Sequence, residues 1–374
     1  MQMVAHGWLV LELTDSPFYL GLVGTVGSLP VFLLSLPSGV IADRFNKREI
    51  IIVTQTLAMV EAFILAALTY YGLIQVWHVL VLSACLGVVR ALDVPARQAI
   101  TIELVGKDDL LNGIALNSFA FNGARIVGPA AAGVVVAAFG TAMCFFINGI
   151  SYIAAVVGLL MMRPSSVRTT SDHRPMFTQI REGIGYARRE PVIQHLLILT
   201  AVASVFVFQY ATIMPAFARD VFGVGARGLG VLMSGAGIGA LISAVSVASL
   251  GHKIKRGVLM AVGSVLVPLG LVAFSQCPDY HLSIFCLALV GLGQMLFLAV
   301  SNSVIQMQTP DHLRGRILAL RAFVFLGLAP VGAFQLGTLA EYVGVRESIL
   351  MGGAIALCAS LYFTIRHQHI RSAD

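Results

Sequence analysis

Charge is scarce in this sequence: Asp, Glu, Lys and Arg make up only 11% of its 374 residues, against 58% apolar side chains. A soluble domain carries about twice that charged fraction, so water is excluded as the solvent for most of the chain. Segments of alternating polar and apolar residues are also missing, which excludes an outer-membrane barrel. Cysteine is sparse and lacks pattern. Cys85, Cys144, Cys286 and Cys358 lie inside apolar runs without CxxC spacing and Cys277 falls near a loop, so neither a disulfide framework nor a metal site is expected. No Walker A loop, HExxH helix or GxSxG elbow is present. Glycine does cluster at Gly235-Ala236-Gly237-Ile238-Gly239, but inside an apolar run, where close helix packing is the use for it. The chain is therefore not expected to be an enzyme or to carry a cofactor. The net charge of +6 is spread over short loops with no single basic stripe, which argues against a nucleic-acid partner.

What is present is apolar sequence in long runs. A helix needs about 20 apolar residues to cross the hydrocarbon core, and hydropathy with loop signals places crossings near residues 2–13, 18–40, 50–71, 77–95, 111–138, 142–162, 192–218, 229–250, 258–275, 281–306, 318–343 and 347–365. The expected fold is an all-α membrane protein of about twelve transmembrane helices. If the loop from Asp43 to Arg48 faces the cytoplasm, alternate loops and the tail collect most of the Lys and Arg, while the opposite loops hold Arg219, Arg227 and Arg346. The positive-inside rule then puts the C-terminus in the cytoplasm. The first crossing is short and has no basic anchor before it, so it reads as the outer half of a helix. The expectation is that about 20 to 30 residues are missing ahead of it.

The stretch from Arg163 to Pro191 is polar, basic and longer than the other loops, and it divides the crossings six and six. Phe177, Ile180, Ile184 and Ala187 recur there at helical spacing with Arg181, Arg188 and Arg189 between them, which predicts an amphipathic helix on the cytoplasmic face. An internal repeat agrees with the division. Leu20-Gly21-Leu22-Val23 resembles Leu229-Gly230-Val231-Leu232, and Asp108 to Ile114 resembles Asp311 to Ile317. The expected organisation is a six-helix half over 1–162 with an incomplete first helix, a linker over 163–191, a second six-helix half over 192–365 and a cytoplasmic tail over 366–374.

The motifs carry a family resemblance. Gly39-Val40-Ile41-Ala42-Asp43-Arg44-Phe45-Asn46-Lys47-Arg48 resembles the signature between helices two and three of the major facilitator superfamily. Glycine permits close backbone approach, the aspartate can pair at a helix terminus, and the basic residues suit the interface. The second half departs from the pattern, because Gly251-His252-Lys253-Ile254-Lys255-Arg256 has no aspartate. Helix five carries Ala124-Arg125-Ile126-Val127-Gly128-Pro129-Ala130-Ala131-Ala132-Gly133, which resembles the antiporter motif of drug exporters with alanine at two usual glycine positions. Trp8-Leu9-Val10-Leu11, Ser16-Pro17, Leu29-Pro30, Pro95-Ala96-Arg97-Gln98, Asn117-Ser118, Phe121-Asn122 and Leu313-Arg314-Gly315-Arg316 complete a likeness to the branch of enterobactin and macrolide exporters. The resemblance implies a major facilitator fold and a gating role for Asp43, Arg44, Lys47 and Arg48, with Asp93 meeting Lys47, and for the Gly128-Pro129 kink.

Ionisable groups at membrane depth are costly and mark function by default. Glu61 either couples protons or is structural. Arg90 either pairs with Asp93 or faces a central cavity. Arg125 either attracts an anionic substrate or satisfies the carbonyl freed by Pro129 and Asn122. Uncharged candidates for the central path are Asn117, Asn122, Gln209, Tyr210, Gln294 and Gln335. Together these describe a largely apolar cavity with few polar anchors. The expectation is a monomeric, multi-pass transporter of a bacterial inner membrane, exporting a small amphiphilic drug or siderophore by alternating access with protons as the coupling ion. The alternatives are an uptake symporter of the same fold or an inactive fragment of such a transporter.

Overall fold

The computed structural model describes residues 1–105, 110–162, 176–250 and 254–366. The apolar runs form helices because a backbone deprived of water must pair its N–H and C=O groups within each segment. In chain order they are α1 (Gln2–Thr14), α2 (Pro17–Arg44), α3 (Lys47–Tyr70), α4 (Val76–Val105), α5 (Leu110–Met161), α6 (Met176–Arg189), α7 (Pro191–Phe206) and α8 (Tyr210–Ala216), the last continued by a π-helical turn, Phe217–Val221. Then come α9 (Ala226–Leu250), α10 (Arg256–Gln276), α11 (Tyr280–Gln308), α12 (Asp311–Gly327), α13 (Ala329–Val343) and α14 (Val345–Arg366).

Among the described residues, 10 helical stretches are long and apolar enough to cross a membrane. One of them, Asn122–Met161, has 40 residues and holds two crossings. Gly140, with φ 83° and ψ 172°, divides it, a conformation that a side chain would strain. The first arm of α5 packs on α9 and the second on α3, where Phe146 meets Phe63 at 5.7 Å. With the 13-residue α1, too short to cross by itself, helices stand at all twelve expected positions among the described residues. The seventh and eleventh are broken, as α7/α8 and α12/α13, where hydropathy had read continuous runs.

Two groups of helices pack internally, α2 to α5 with α1 against them, and α9, α10, α11 and α14 with α13 against α14. They meet where α2 lies on α13 and α5 on α9. These contacts are close because they are built on glycine. A Cβ on Gly21 would come within 2.6 Å of the Gly337 Cα, and one on Gly133 within 3.0 Å of the Gly230 Cα. Lipid supplies little hydrophobic drive between helices, so such approach, with its dispersion contacts and interhelical hydrogen bonds, is what holds them together. Thr25 Oγ1 donates to Pro330 O at 3.1 Å across the first seam, and Ser234 Oγ to Ile126 O at 2.7 Å across the second.

Polar contacts finish the bundle end that carries the α1–α2 turn. Asp15 and Arg219 pair at 2.5 Å, and Arg219 also reaches Asp220 at 2.6 Å. Glu341 on α13 accepts from Ser16 Oγ at 2.7 Å and from Phe18 N–H at 3.2 Å, so it caps α2 from across the seam. At the opposite end the expected amphipathic helix is present as α6, on α12 and α7. Its Glu182 pairs with Arg316, and Tyr186 donates to Gln308 O at 3.2 Å. Of its expected face, the side chains of Phe177, Ile180 and Arg181 lie outside the described residues.

Candidate functional site

Between α1, α2, α4 and the broken seventh crossing lies a cavity of about 320 Å³, in the size range of small-molecule sites. Its walls are mostly apolar, with Gln2, His6, Ser83, Arg90, Gln209 and Thr212 among the polar groups. The break in the seventh crossing shapes one wall. The N–H groups of Val207 and Phe208 both donate to Ala203 O, at 3.0 and 2.8 Å, which widens the turn, and Gln209 caps α8. Irregular backbone at membrane depth is tolerated where protein or a cavity surrounds it. Here Gln209 Nε2 returns to Ser204 O at 3.5 Å, and Ser204 Oγ ties the break to Phe325 O of α12 at 2.7 Å.

Arg90 is exposed on α4 and lines this cavity. Among the described residues its guanidinium has no hydrogen bond or ion pair. The alternative pairing with Asp93 is not made, because Asp93 is held by Thr54 Oγ1 at 2.8 Å, Gln55 Nε2 at 3.0 Å and Arg97 Nε at 2.5 Å. A cation without a partner at this depth is costly, and the cavity is where it can be matched.

Behind the wall formed by α1 is a buried polar cluster. Glu61 on α3 is 4% exposed. Its Oε2 accepts from Gln2 Nε2 at 2.5 Å, and Gln2 Oε1 in turn accepts from Asn148 Nδ2 at 3.0 Å and Tyr152 OH at 3.4 Å. The other oxygen, Oε1, lies 3.6 Å from His6 Nε2, and neither atom has a hydrogen-bond partner.

The loop expected to gate is described in part. The side chains of Asp43 and Arg44 lie outside the described residues, as does His252. Lys47 opens α3 after Asn46, whose side chain caps the helix by accepting from Arg48 N at 3.0 Å. Arg48 donates to the terminal carbonyls of α5, Leu159 O at 2.7 Å and Leu160 O at 2.6 Å. In α5 the carbonyl of Arg125, freed by Pro129, sits 2.8 Å from where a Cβ on Gly237 would be, and Pro129 O sits 2.5 Å from one on Gly230. Gly128 faces the start of α1. The antiporter-like segment is thus the surface on which α9 and α1 pack.

Of the other expected residues, Gln209 lines the cavity. Tyr210 is buried in the core beside it, Asn122 is buried, and Asn117 is exposed on the first arm of α5. Arg125, Gln294 and Gln335 are half-buried on α5, α11 and α13, and none of the three lines this cavity. Sequence reasoning missed Gln2, His6, Asp15, Ser16 and Glu341. A histidine and a glutamine one helical turn apart in the first crossing were a signal for the first two.

The whole chain, residues 1–374, matches the family model described as transmembrane secretion effector. It is 24% identical over 361 residues to the staphyloferrin A transporter of Staphylococcus aureus, covering 96% of this chain and 90% of that protein. It is 26% identical over 387 aligned positions to the multidrug efflux pump Tap of Mycobacterium tuberculosis, covering 100% and 91%, and 21% identical over 357 to macrolide efflux protein A of Streptococcus pyogenes, covering 94% and 87%. Among solved structures, a mutant of the nucleoside transporter NupG superposes with a TM-score of 0.82 at 11% identity, covering 97% of this chain and 94% of that one. A bacterial homologue of the lysosomal transporter Spinster gives 0.75 at 13%, covering 100% and 95%. Those structures establish the shared fold, and the full-length family match establishes the rest: this chain belongs to the transmembrane secretion effector family of major facilitator transporters.

Proposed function

We propose that the protein exports a small amphiphilic compound against its gradient, driven by protons, through alternating access of two halves, 1–162 and 192–365, joined by the 163–191 linker. The observation that carries this reading is the cavity with its one unpaired cation, Arg90, set beside a buried carboxylate, Glu61. One element binds cargo and the other takes up a proton. The efflux relatives favour export. The positive-inside rule places the end carrying α6, Arg48 and the 366–374 tail in the cytoplasm of a bacterial inner membrane. On this reading the clasp of Asp15, Arg219, Ser16 and Glu341 closes the outer end. Asp43, Arg44, Lys47 and Asp93 serve as the inner latch, and the Gly128-Pro129 segment lets α5 tilt on α9.

The cargo that fits pairs apolar bulk with an anionic or oxygen-rich group. Arg90 supplies the charge, Gln209 and Thr212 supply neutral partners, and the apolar wall takes the remainder. That chemistry favours a carboxylate-bearing siderophore over a cationic drug. The test uses the full chain in inside-out vesicles with an imposed proton gradient, offered polycarboxylate siderophores, macrolides and neutral nucleosides. Accumulation of the carboxylates that collapses with a protonophore is the expected result. Gradient-driven uptake into right-side-out vesicles instead would make the protein a symporter of the same fold, and accumulation of cations alone would remove Arg90 as the cargo anchor.

A further inference from the structure

Buried ionisable groups seldom face one another without a hydrogen bond, yet His6 Nε2 and Glu61 Oε1 do so at 3.6 Å, both buried and both unpartnered. The two residues differ in access. Glu61 is 4% exposed and has no place in the cavity lining, whereas His6 does line the cavity. His6 is held by the edge of the Phe145 ring, 5.4 Å between centroids, and Glu61 by Gln2. A carboxylate in this position can exchange protons with water only through a neighbour. Among the described residues, the imidazole is the one ionisable side chain that both lines the cavity and lies against Glu61.

We infer that His6 carries protons between the cavity and Glu61, an inference that rests on the proton-coupled reading above. Imidazole suits the task because each ring nitrogen can hold a proton, so one proton can be taken up on the cavity side while another leaves from Nε2. Hydronium in the cavity protonates the ring nitrogen remote from Glu61 and leaves water. The Nε2–H proton then passes to Glu61 Oε1, giving a neutral carboxyl and a neutral imidazole in the other tautomer. One proton has moved, no charge remains on the pair, and a ring flip or the reverse sequence resets it. The transfer needs the 3.6 Å gap to shorten by about 0.5 Å to hydrogen-bond length, a shift within reach of a small movement of α1.

The surrounding groups set the field. Arg90 on α4 acts on both His6 and Glu61. Tyr152 on α5 faces the same cluster through Gln2, and Cys144 is buried on the second arm of α5. Tyr210 on α8 is buried beyond α1. Arg90 lines the cavity on the side of this pair, so the cargo anchor and the proton-carrying pair lie within one region of the bundle.

The experiment compares proton-gradient-driven transport with cargo–cargo exchange at equal pH, which needs no net proton movement, in proteoliposomes holding the full chain. His6→Ala, with His6→Asn as a second variant of closer volume, is expected to slow gradient-driven transport by ~100-fold, the lower end for a lost proton-transfer group. Exchange should fall much less than driven transport, because His6 also lines the cavity, and added imidazole should restore the driven rate of the alanine variant without changing its exchange rate. Wild-type driven rates in both variants would overturn the relay, as would equal loss of exchange and driven transport without imidazole rescue. Glu61→Gln run in parallel separates the two claims. If it keeps gradient-driven transport, the proton-coupled reading itself fails, whereas if it loses that transport while His6→Ala keeps it, only the relay fails.

Discussion

The outer clasp offers a perturbation whose size can be worked from its geometry. Glu341 makes two contacts that end if the two halves part at that end, from Ser16 Oγ at 2.7 Å and Phe18 N–H at 3.2 Å. A cap of this kind stabilises by about 1 kcal/mol. The Asp15–Arg219 pair is worth less despite its 2.5 Å separation, because the Asp15 side chain is 82% exposed. Water and salt screen such a pair to roughly 0.2–0.5 kcal/mol, the low side of the range for exposed ion pairs. Glu341→Ala with Arg219→Ala therefore removes about 1.4 kcal/mol that favours the closed outer end, and the open population should rise about tenfold. The assay is a pulsed electron spin distance measurement between labels at Leu13 on α1 and Tyr342 on α13, both exposed, after the exposed Cys85 and Cys358 are changed to serine. A longer-distance peak should grow in the double variant and change little with Arg219→Ala alone. High salt should mimic Arg219→Ala and leave the Glu341 effect largely in place. An unchanged distance distribution in the double variant would show that these contacts carry no gating energy.

Other predictions rest on separate features. Glu61→Gln fixes a neutral side chain where the carboxylate stood, so transport under an imposed gradient should lose its dependence on pH; a wild-type pH profile would return Glu61 to a structural role. Gly337→Leu places a side chain where Gly21 leaves no room, at a cost of about 1–3 kcal/mol in that packing. It should wedge the outer seam, abolish net transport and lower the thermal unfolding midpoint by several degrees, and normal transport would refute the seam's closure. Arg90→Ala should weaken binding of a polycarboxylate, read by tryptophan fluorescence or calorimetry, by about tenfold or more for a lost charge-assisted contact, and leave a neutral compound of similar bulk nearly unaffected. Equal loss for both would assign Arg90 to packing.

The crossings were legible because burial in lipid writes itself into composition, and the boundary read between 138 and 142 contains Gly140, where the structure turns. The linker helix was legible from its spacing of apolar residues. The break at Val207–Gln209 was not, whereas the one at Leu328 has a local mark in Pro330, in the first turn of α13. Val205, Phe206, Val207 and Phe208 are as apolar as any helix interior, and what interrupts them is hydrogen-bond geometry set by Ser204 and its contact with Phe325. The site divided in the same way. Glu61 and Arg90 stood out as charges in apolar runs, and the choice left open for Arg90 was settled by Thr54, Gln55 and Arg97 taking Asp93. Gln2, His6 and Glu341 acquire meaning only from partners far away in the chain. The pairing of Glu341 with the cap of α2 depends on a seam between distant helices, which no local pattern encodes.

The central claim is that cargo movement and proton movement are obligately linked through Glu61. Proteoliposomes loaded with a pH-sensitive dye, holding the full chain and a cargo gradient but no imposed proton gradient, measure that linkage directly. The account predicts that adding a polycarboxylate siderophore drives an opposing proton flux in the wild type and none in Glu61→Gln. Cargo movement without any change in internal pH, or an undiminished proton flux in Glu61→Gln, would contradict it.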